Sequence, residues 1–209
     1  MSSNRKSIGL DGKSVVVFDL FGVIIDFNDS IVSRRIAHHC RNRDIALDAL
    51  QDIVSNRNLI SGSMTLFDLY KDIQDNLGLR QSYQEFHAQW MEPYTQTKPG
   101  IECLLNKISG AADIVLLSNV DPYYWPTIIR LHPIVQKFKA RILSFECGLT
   151  KPDPEIFHYA ERVAGFRAED CFFLDDKAEN IEAARMQGWS GFEFSSVQAF
   201  LRSANNNSN

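Results

Sequence analysis

No two of the four cysteines are spaced to share a metal or to exchange electrons. Cys40, Cys103, Cys147 and Cys171 are widely scattered and no CxxC pair occurs. This argues against zinc-finger and dithiol chemistry and leaves four reduced thiols as the expectation. No apolar run approaches the roughly 20 residues that cross a bilayer, and the opening "MSSNRKSIGLDGK" lacks the apolar stretch of a secretory signal. Cationic excess is missing too: 22 Lys and Arg stand against 26 Asp and Glu, a formal net charge of -4. Coating a phosphate backbone takes clustered positive charge, so no nucleic-acid partner is expected. The chain therefore reads as a soluble cytoplasmic protein without a membrane partner. A few local cations would still suffice for a small anionic ligand.

What is present is ordinary for a globular protein: 209 residues, 44% hydrophobic and 23% charged. That length supports one large domain, or a core with a smaller inserted one, as monomer or homodimer. Short apolar runs recur at "SVVVFD" (14–19), "DIVLLSN" (113–119), "ARILSFE" (140–146), "CFFLDD" (171–176) and "SGFEF" (190–194). Near-continuous runs of this length suit strands covered on both faces, as in a parallel sheet. Helical patterns lie between them. In "PEIFHYAERVAGF", Ile156, Phe157, Ala160, Val163 and Ala164 share a face; in "KAENIEAARMQGW", the apolar Ile181, Ala184 and Met186 follow Asn180, and Gly188 suits the position just past the helix. Alternation of this kind from about 100 to 202 predicts an α/β domain with right-handed crossovers. The polar tail "SANNNSN" is expected to fray.

Residues 28–95 offer helices and no convincing strand. The candidates are "DSIVSRRIAHHCRN", "ALDALQDIVSNR", "TLFDLYKDIQDNLG" and "SYQEFHAQWMEPY". The third carries Leu66, Leu69, Tyr70, Ile73 and Leu77 on one stripe closed by Gly78. The expected division is an α/β core, residues 1–27 and 96–209, with a helical domain, 28–95, inserted after the first strand. The neighbouring His38 and His39 point about 100° apart on a helix and cannot easily share a metal. The "YYWP" run at 123–126 suits packing at a helix start.

In open parallel sheets ligands bind beyond the carboxyl ends of the strands. The first run here ends on Asp19, the second on Ser118-Asn119 and the fourth on Asp175-Asp176, while the loop "ECGLTKPDPEIF" brings Lys151. Carboxylates with water and phosphate oxygens make a hard shell suited to Mg²⁺. Lys151 and the Ser118 hydroxyl suit phosphate oxygens, and a carboxylate beside the metal can attack phosphorus.

These segments, "VVVFDLFGV", "IVLLSNV", "GLTKPDPEIF" and "FFLDDKAENIEAARMQGW", occur in the order of the four motifs of the haloacid dehalogenase superfamily of hydrolases, which the chain resembles over about 14–194. The layout is most similar to members related to glucose-1-phosphate phosphatase. The resemblance implies a Rossmann-like parallel sheet core with an α-helical cap. It also implies Asp19 as nucleophile and metal ligand, and the Phe21 carbonyl as a second ligand. Ser118, with Asn119 shaping its loop, would bind the phosphoryl group. Lys151 would balance Asp19 and the phosphate, Asp176 would bind the metal, and Asp175 would do so directly or through water. A small phosphorylated metabolite, such as a sugar phosphate, and Mg²⁺ are the implied substrate and cofactor.

Phe21 departs from the pattern. In the family's phosphatases that position is usually a second aspartate, which protonates the leaving group and later activates water. Such assistance is typically worth about 10²–10⁴-fold. Three readings follow: a phosphatase whose proton work is done elsewhere, a 2-haloacid dehalogenase, whose halide needs no proton, and a binding module with little turnover. The retained pair Asp175-Asp176 favours the first, because dehalogenation by an aspartate needs no metal.

Overall fold

The computed structural model describes Leu10 and residues 12–206. Most of the polar opening segment and residues 207–209 lie outside the described part. The other residues of the polar tail, from Ser203 to Asn206, continue the last helix.

Five strands build the core sheet: β1 (Val15–Phe18), β4 (Asp113–Ser118), β5 (Ala140–Leu143), β6 (Cys171–Asp175) and β7 (Ser190–Glu193). Two more, β2 (Ile25–Phe27) and β3 (Thr95–Thr97), pair elsewhere. The core order is β5-β4-β1-β6-β7, every neighbouring pair parallel. Consecutive valines explain β1: a β-branched run with no polar interruption is at home in a strand buried on both faces. Its side chains alternate between two cores. Val16 and Phe18 join Ile114, Leu116, Phe172 and Leu174 on one face, whereas Val15 and Val17 join Val115, Leu117, Cys171 and Phe173 on the other.

Helices cover both faces. On the second face lie α9 (Pro154–Ala164), through Ile156, Phe157 and Ala160, and α10 (Ala178–Met186), through Ile181 and Ala184. The first face takes α6 (Ile101–Ser109), α7 (Trp125–Leu131) and α11 (Val197–Asn206), the last through Phe200. Val163, expected on the shared face of its helix, is 52% exposed, and Met186 is 71% exposed. Each sits in the last turn of its helix. The third core strand is shorter than its apolar run suggests, because Ser144 begins the short helix α8 (Ser144–Cys147).

The helical block comprises α1 (Asp29–Ala37), α2 (Arg43–Ala49), α3 (Arg57–Ile60), α4 (Leu66–Leu77) and α5 (Tyr83–Trp90). Its boundaries follow capping chemistry more closely than apolar period. Asn42, the last residue of the first candidate stretch, accepts bonds from the amides of Asp44 and Ile45, so α2 starts at Arg43, three residues before the second candidate stretch. Asn56 starts α3 in the same way. Helices α4 and α5 have full capping boxes, Thr65 with Asp68 and Ser82 with Glu85.

The chain enters and leaves this block through the antiparallel pair β2–β3, with Ile25 opposite Thr97 and Phe27 opposite Thr95. This pair was not expected from the sequence, since three residues are too few to establish a period of two. His132 clamps the second strand, its ring nitrogens 2.8 Å from the hydroxyls of Thr95 and Thr97. The Tyr123–Trp125 run does pack: Tyr124 is fully buried and stacks on Tyr94 at 4.2 Å. His38 is exposed and makes a ring contact with His39, which also bonds to Gln89.

Replacing Thr65 by Ala removes the side-chain half of the capping box on α4, the hydroxyl that accepts from the Asp68 amide, and leaves the Thr65 N–H donating to the Asp68 carboxylate. The expected cost is about 1 kcal/mol, read as a lower urea midpoint at unchanged slope.

Candidate active site

Strand order places the site. The chain runs outward from β1 through β4 to β5 and returns to β6 on the other side, so its direction reverses at β1. Such a switch point leaves a crevice at the carboxyl ends of the strands. The register that pairs Phe18 with Leu174 carries Asp19 beside Asp175, and the Asp19 amide donates to the Leu174 carbonyl at 2.8 Å.

Lys151 lies between those two carboxylates. Its Nζ is 2.8 Å from Asp19 Oδ1 and 2.6 Å from Asp175 Oδ2, and its side chain is 1% exposed. The ammonium also lies over the Phe173 ring, 5.5 Å from its centroid. Asp175 is occupied at its other oxygen as well, where Oδ1 accepts from the Lys177 amide and from Asn180 Nδ2, both at 2.9 Å. Asp19 Oδ1 accepts a second bond, from the Leu20 amide at 2.6 Å. Among the described residues nothing donates to Asp19 Oδ2.

Asn119 fixes Lys151 from behind. Its amide nitrogen donates to the Lys151 carbonyl, and its amide oxygen accepts from the Lys151 N–H, each at 2.9 Å. Ser118 is fully buried, its hydroxyl without a partner among the described residues. It is Asn119, one residue on, that reaches the cavity wall.

Asp176 completes an acidic cluster. Ligand oxygens of Asp19, Asp175 and Asp176 all lie within 4.8 Å of one another. The approach depends on Gly22, whose φ is +76° and where a Cβ would come within 2.2 Å of Asp176 Oδ2. Phe21 makes a bridge to Ile25 and sets its ring edge-on to Phe27 at 5.2 Å. Its side chain brings no polar atom to the site.

A cavity of about 220 Å³ opens onto these groups. Asp19, Asn119, Lys151 and Asp176 line it from the core, Phe21 and Phe27 from the first strand's continuation, and Val54, Arg57, Ile60 and Tyr94 from the helical block and its exit. Arg57 is ion-paired with Asp153 across the mouth. Asp121 also lines it, a residue that the sequence reading passed over. Its only signal was an Asp three residues beyond the strand end, ahead of an aromatic run. Gly22 went unnoticed because a lone glycine after a strand has many uses.

Charge in the cluster is unbalanced. Three carboxylates against one ammonium leave two negative charges uncompensated in a buried place. Burial pushes the Asp19 carboxyl up to about 8, outweighing the pull of Lys151 and reinforced by Asp175. Burial, then Asp175, also raises Asp176. On Lys151, burial works against the charge, but Asp175 and Asp19 overcome it and hold the ammonium protonated beyond its ordinary range. An oxygen-rich, over-negative cluster with a free carboxylate oxygen fits a hard divalent cation such as Mg²⁺.

The sign of the pH response follows for metal-free protein. Folded Asp19 keeps a proton up to about 8, whereas the unfolded chain gives it up near 3.8, so stability falls as pH rises between those values. His132, lowered by burial from 6.5, acts in the opposite sense at and below that pH. The clean window is therefore from about pH 7 to about pH 8. There, the melting temperature of EDTA-treated wild type should drop, and that of Asp19→Asn should stay flatter; parallel curves would contradict the assignment.

The model of the haloacid dehalogenase-like hydrolase family matches residues 13–188. A D-ribitol-5-phosphate phosphatase from Bacteroides thetaiotaomicron is 24% identical over 185 residues, covering 85% of this chain and 90% of that protein. The sesquiterpene phosphatase astK of Aspergillus oryzae is 22% identical, covering 84% and 86%. Among crystal structures, a haloacid dehalogenase family enzyme from B. thetaiotaomicron, in complex with magnesium and inorganic phosphate, superposes with a TM-score of 0.73 at 23% identity, covering 87% of this chain and 93% of that one. The L-2-haloacid dehalogenase of Xanthobacter autotrophicus superposes with a TM-score of 0.62 at 16% identity, covering 86% and 76%. Family match, parallel core sheet and shared fold agree: the chain belongs to the haloacid dehalogenase-like hydrolases.

Proposed function

We propose that this chain is a phosphatase of small phosphorylated metabolites that works through a phosphorylated Asp19. The observation that carries the reading is the Asp19, Asp175 and Asp176 cluster set around Lys151, an arrangement with a place for both a cation and a phosphate. The phosphatases among its relatives point the same way.

The Asp19 carboxylate attacks phosphorus in line with the leaving alcohol, oriented by Lys151 and the Leu20 amide. Lys151 receives a phosphoryl oxygen; the Ser118 hydroxyl, unpaired but buried behind the cavity wall, joins it once the loop after β4 shifts to admit the ligand. Water then attacks the phosphoryl-aspartate and releases phosphate. Asp19, Asp176 and the carbonyl of Phe21 would hold Mg²⁺, which when bound offsets the charge of cluster and phosphate. Asp175 stands behind them, its oxygens already engaged by Lys151, Lys177 and Asn180, and serves chiefly to hold Lys151.

Residues 28–95 act as the cap. They close one side of the cavity and shield the reaction from bulk water. The volume of about 220 Å³ is below the roughly 300 Å³ where drug-sized pockets begin. A sugar- or polyol-sized phosphoester suits it better than a nucleotide. No helix among the described residues is long and apolar enough to cross a membrane.

Phe21 and the dehalogenase-like structures support a second reading, halide displacement without a metal. One comparison separates them. Phosphate should be released from members of a sugar- and polyol-phosphate panel with Mg²⁺, cease in EDTA, and fall by at least about 10³-fold in Asp19→Asn, since the nucleophile itself is lost. Chloride release from 2-chloropropionate in EDTA, with no phosphate release from the panel, would replace the phosphatase reading by the dehalogenase one.

A further inference from the structure

Splitting an alkyl phosphoester leaves an alkoxide that needs a proton, and the following hydrolysis needs a water stripped of one. Phe21 can do neither. The side chains around the cavity can be sorted by elimination. Asp19 forms the bond to phosphorus and Asp176 belongs to the cation cluster. Lys151 is locked between two carboxylates, and Arg57 is committed to Asp153. Lys177 is exposed, its backbone amide donating to Asp175. Tyr94 is held protonated far above the ordinary range by burial and by the neighbouring Asp121. That leaves Asp121.

We propose, resting on the phosphatase reading, that Asp121 is the general acid and base of this site. It is 3% exposed and lines the cavity that holds Asp19 and Phe21. Its Oδ1 accepts from the amides of Tyr123 and Tyr124 at 2.9 and 2.8 Å and from Trp90 Nε1 at 3.4 Å. Three donors on one oxygen fix the carboxyl. Among the described residues nothing donates to Oδ2 and no cation pairs with the group, so the second oxygen is free to carry a proton. The surroundings favour that state: burial raises the carboxyl to about 6, outweighing the hydrogen bonds that lower it.

The proton balance closes over one turnover. Asp121 gives its proton to the leaving oxygen as the phosphorus–oxygen bond to the alcohol breaks and the bond to Asp19 forms. As the Asp121 carboxylate, it then takes a proton from the water that attacks phosphorus. The bond to Asp19 breaks, Asp19 regains its carboxylate and phosphate departs. Trp90 ends α5, so the acid is anchored to the helical block as well as to the core loop.

Leaving-group dependence tests this. Wild type, Asp121→Asn and Asp121→Ser are compared in single turnovers with the alkyl phosphate hydrolysed best in the panel and with p-nitrophenyl phosphate. Both substitutions keep an oxygen acceptor for the Tyr123 and Tyr124 amides. First-turnover release of the alkyl alcohol should fall by about 10²-fold or more, while that of p-nitrophenolate, which leaves unprotonated, stays within about threefold. Phosphorylated Asp19 should also accumulate, because water has lost its base. An unchanged alkyl rate, equal losses on both substrates, or a raised KM at constant kcat would overturn the assignment; the last would make Asp121 a group that binds substrate hydroxyls. Wild type inactive on every ester would instead sink the phosphatase reading itself.

Discussion

Everything at the rim of this sheet is arranged around one ammonium group. Lys151 is almost entirely buried, and such a charge is tolerable only if it is paired and hydrogen-bonded. Asp19 and Asp175 supply the pairing from two adjacent parallel strands, so the register of β1 on β6 is a precondition for the ion cluster. The dependence also runs the other way. Without Lys151, two carboxylates would face each other in a dry place, and breaking a buried pair in this way costs about 3–5 kcal/mol. The arrangement is therefore costly as a means of stabilising the fold and more readily understood as a device for holding one carboxylate ready. Asp19 keeps one oxygen tied and one free.

The divided labour of the paired acids follows from the same geometry. Asp175 is entirely buried and bonded at both oxygens, whereas Asp176 is half-buried and faces the cavity. Neighbours in the chain thus acquire different surroundings because β6 ends between them. A strand alternates its faces, and the first residue beyond it is free to turn toward the rim.

Much of this was legible in the sequence, for identifiable reasons. Strands β1, β4 and β6 are apolar runs that stop on polar residues, and a buried strand can show such residues only at its end. That contrast marked Asp19, Ser118 and Asp175 together. Less legible was anything set by tertiary contact. The three-residue pair β2–β3 has too little pattern to register. Helix limits in the inserted block were displaced by Asn42 and Asn56, because side-chain capping outweighs an apolar stripe. Gly22 matters only because Asp176, far along the chain, lies against it. Asp121 looks in sequence like an ordinary turn former, and only the fold brings it into the cavity of Asp19.

The reciprocal bonds between the Asn119 side chain and the Lys151 peptide have a consequence of their own. An amide side chain that both gives to and takes from one peptide reproduces a single rung of backbone pairing. The hydrogen-bonded order of the sheet is thereby carried past the last residue of β4, into loops with no ladder of their own. Two loops separated by some thirty residues behave as one rigid piece. The ammonium is delivered already aimed, and the entropy of ordering a long flexible side chain is lost once, on folding, instead of at every encounter with a ligand.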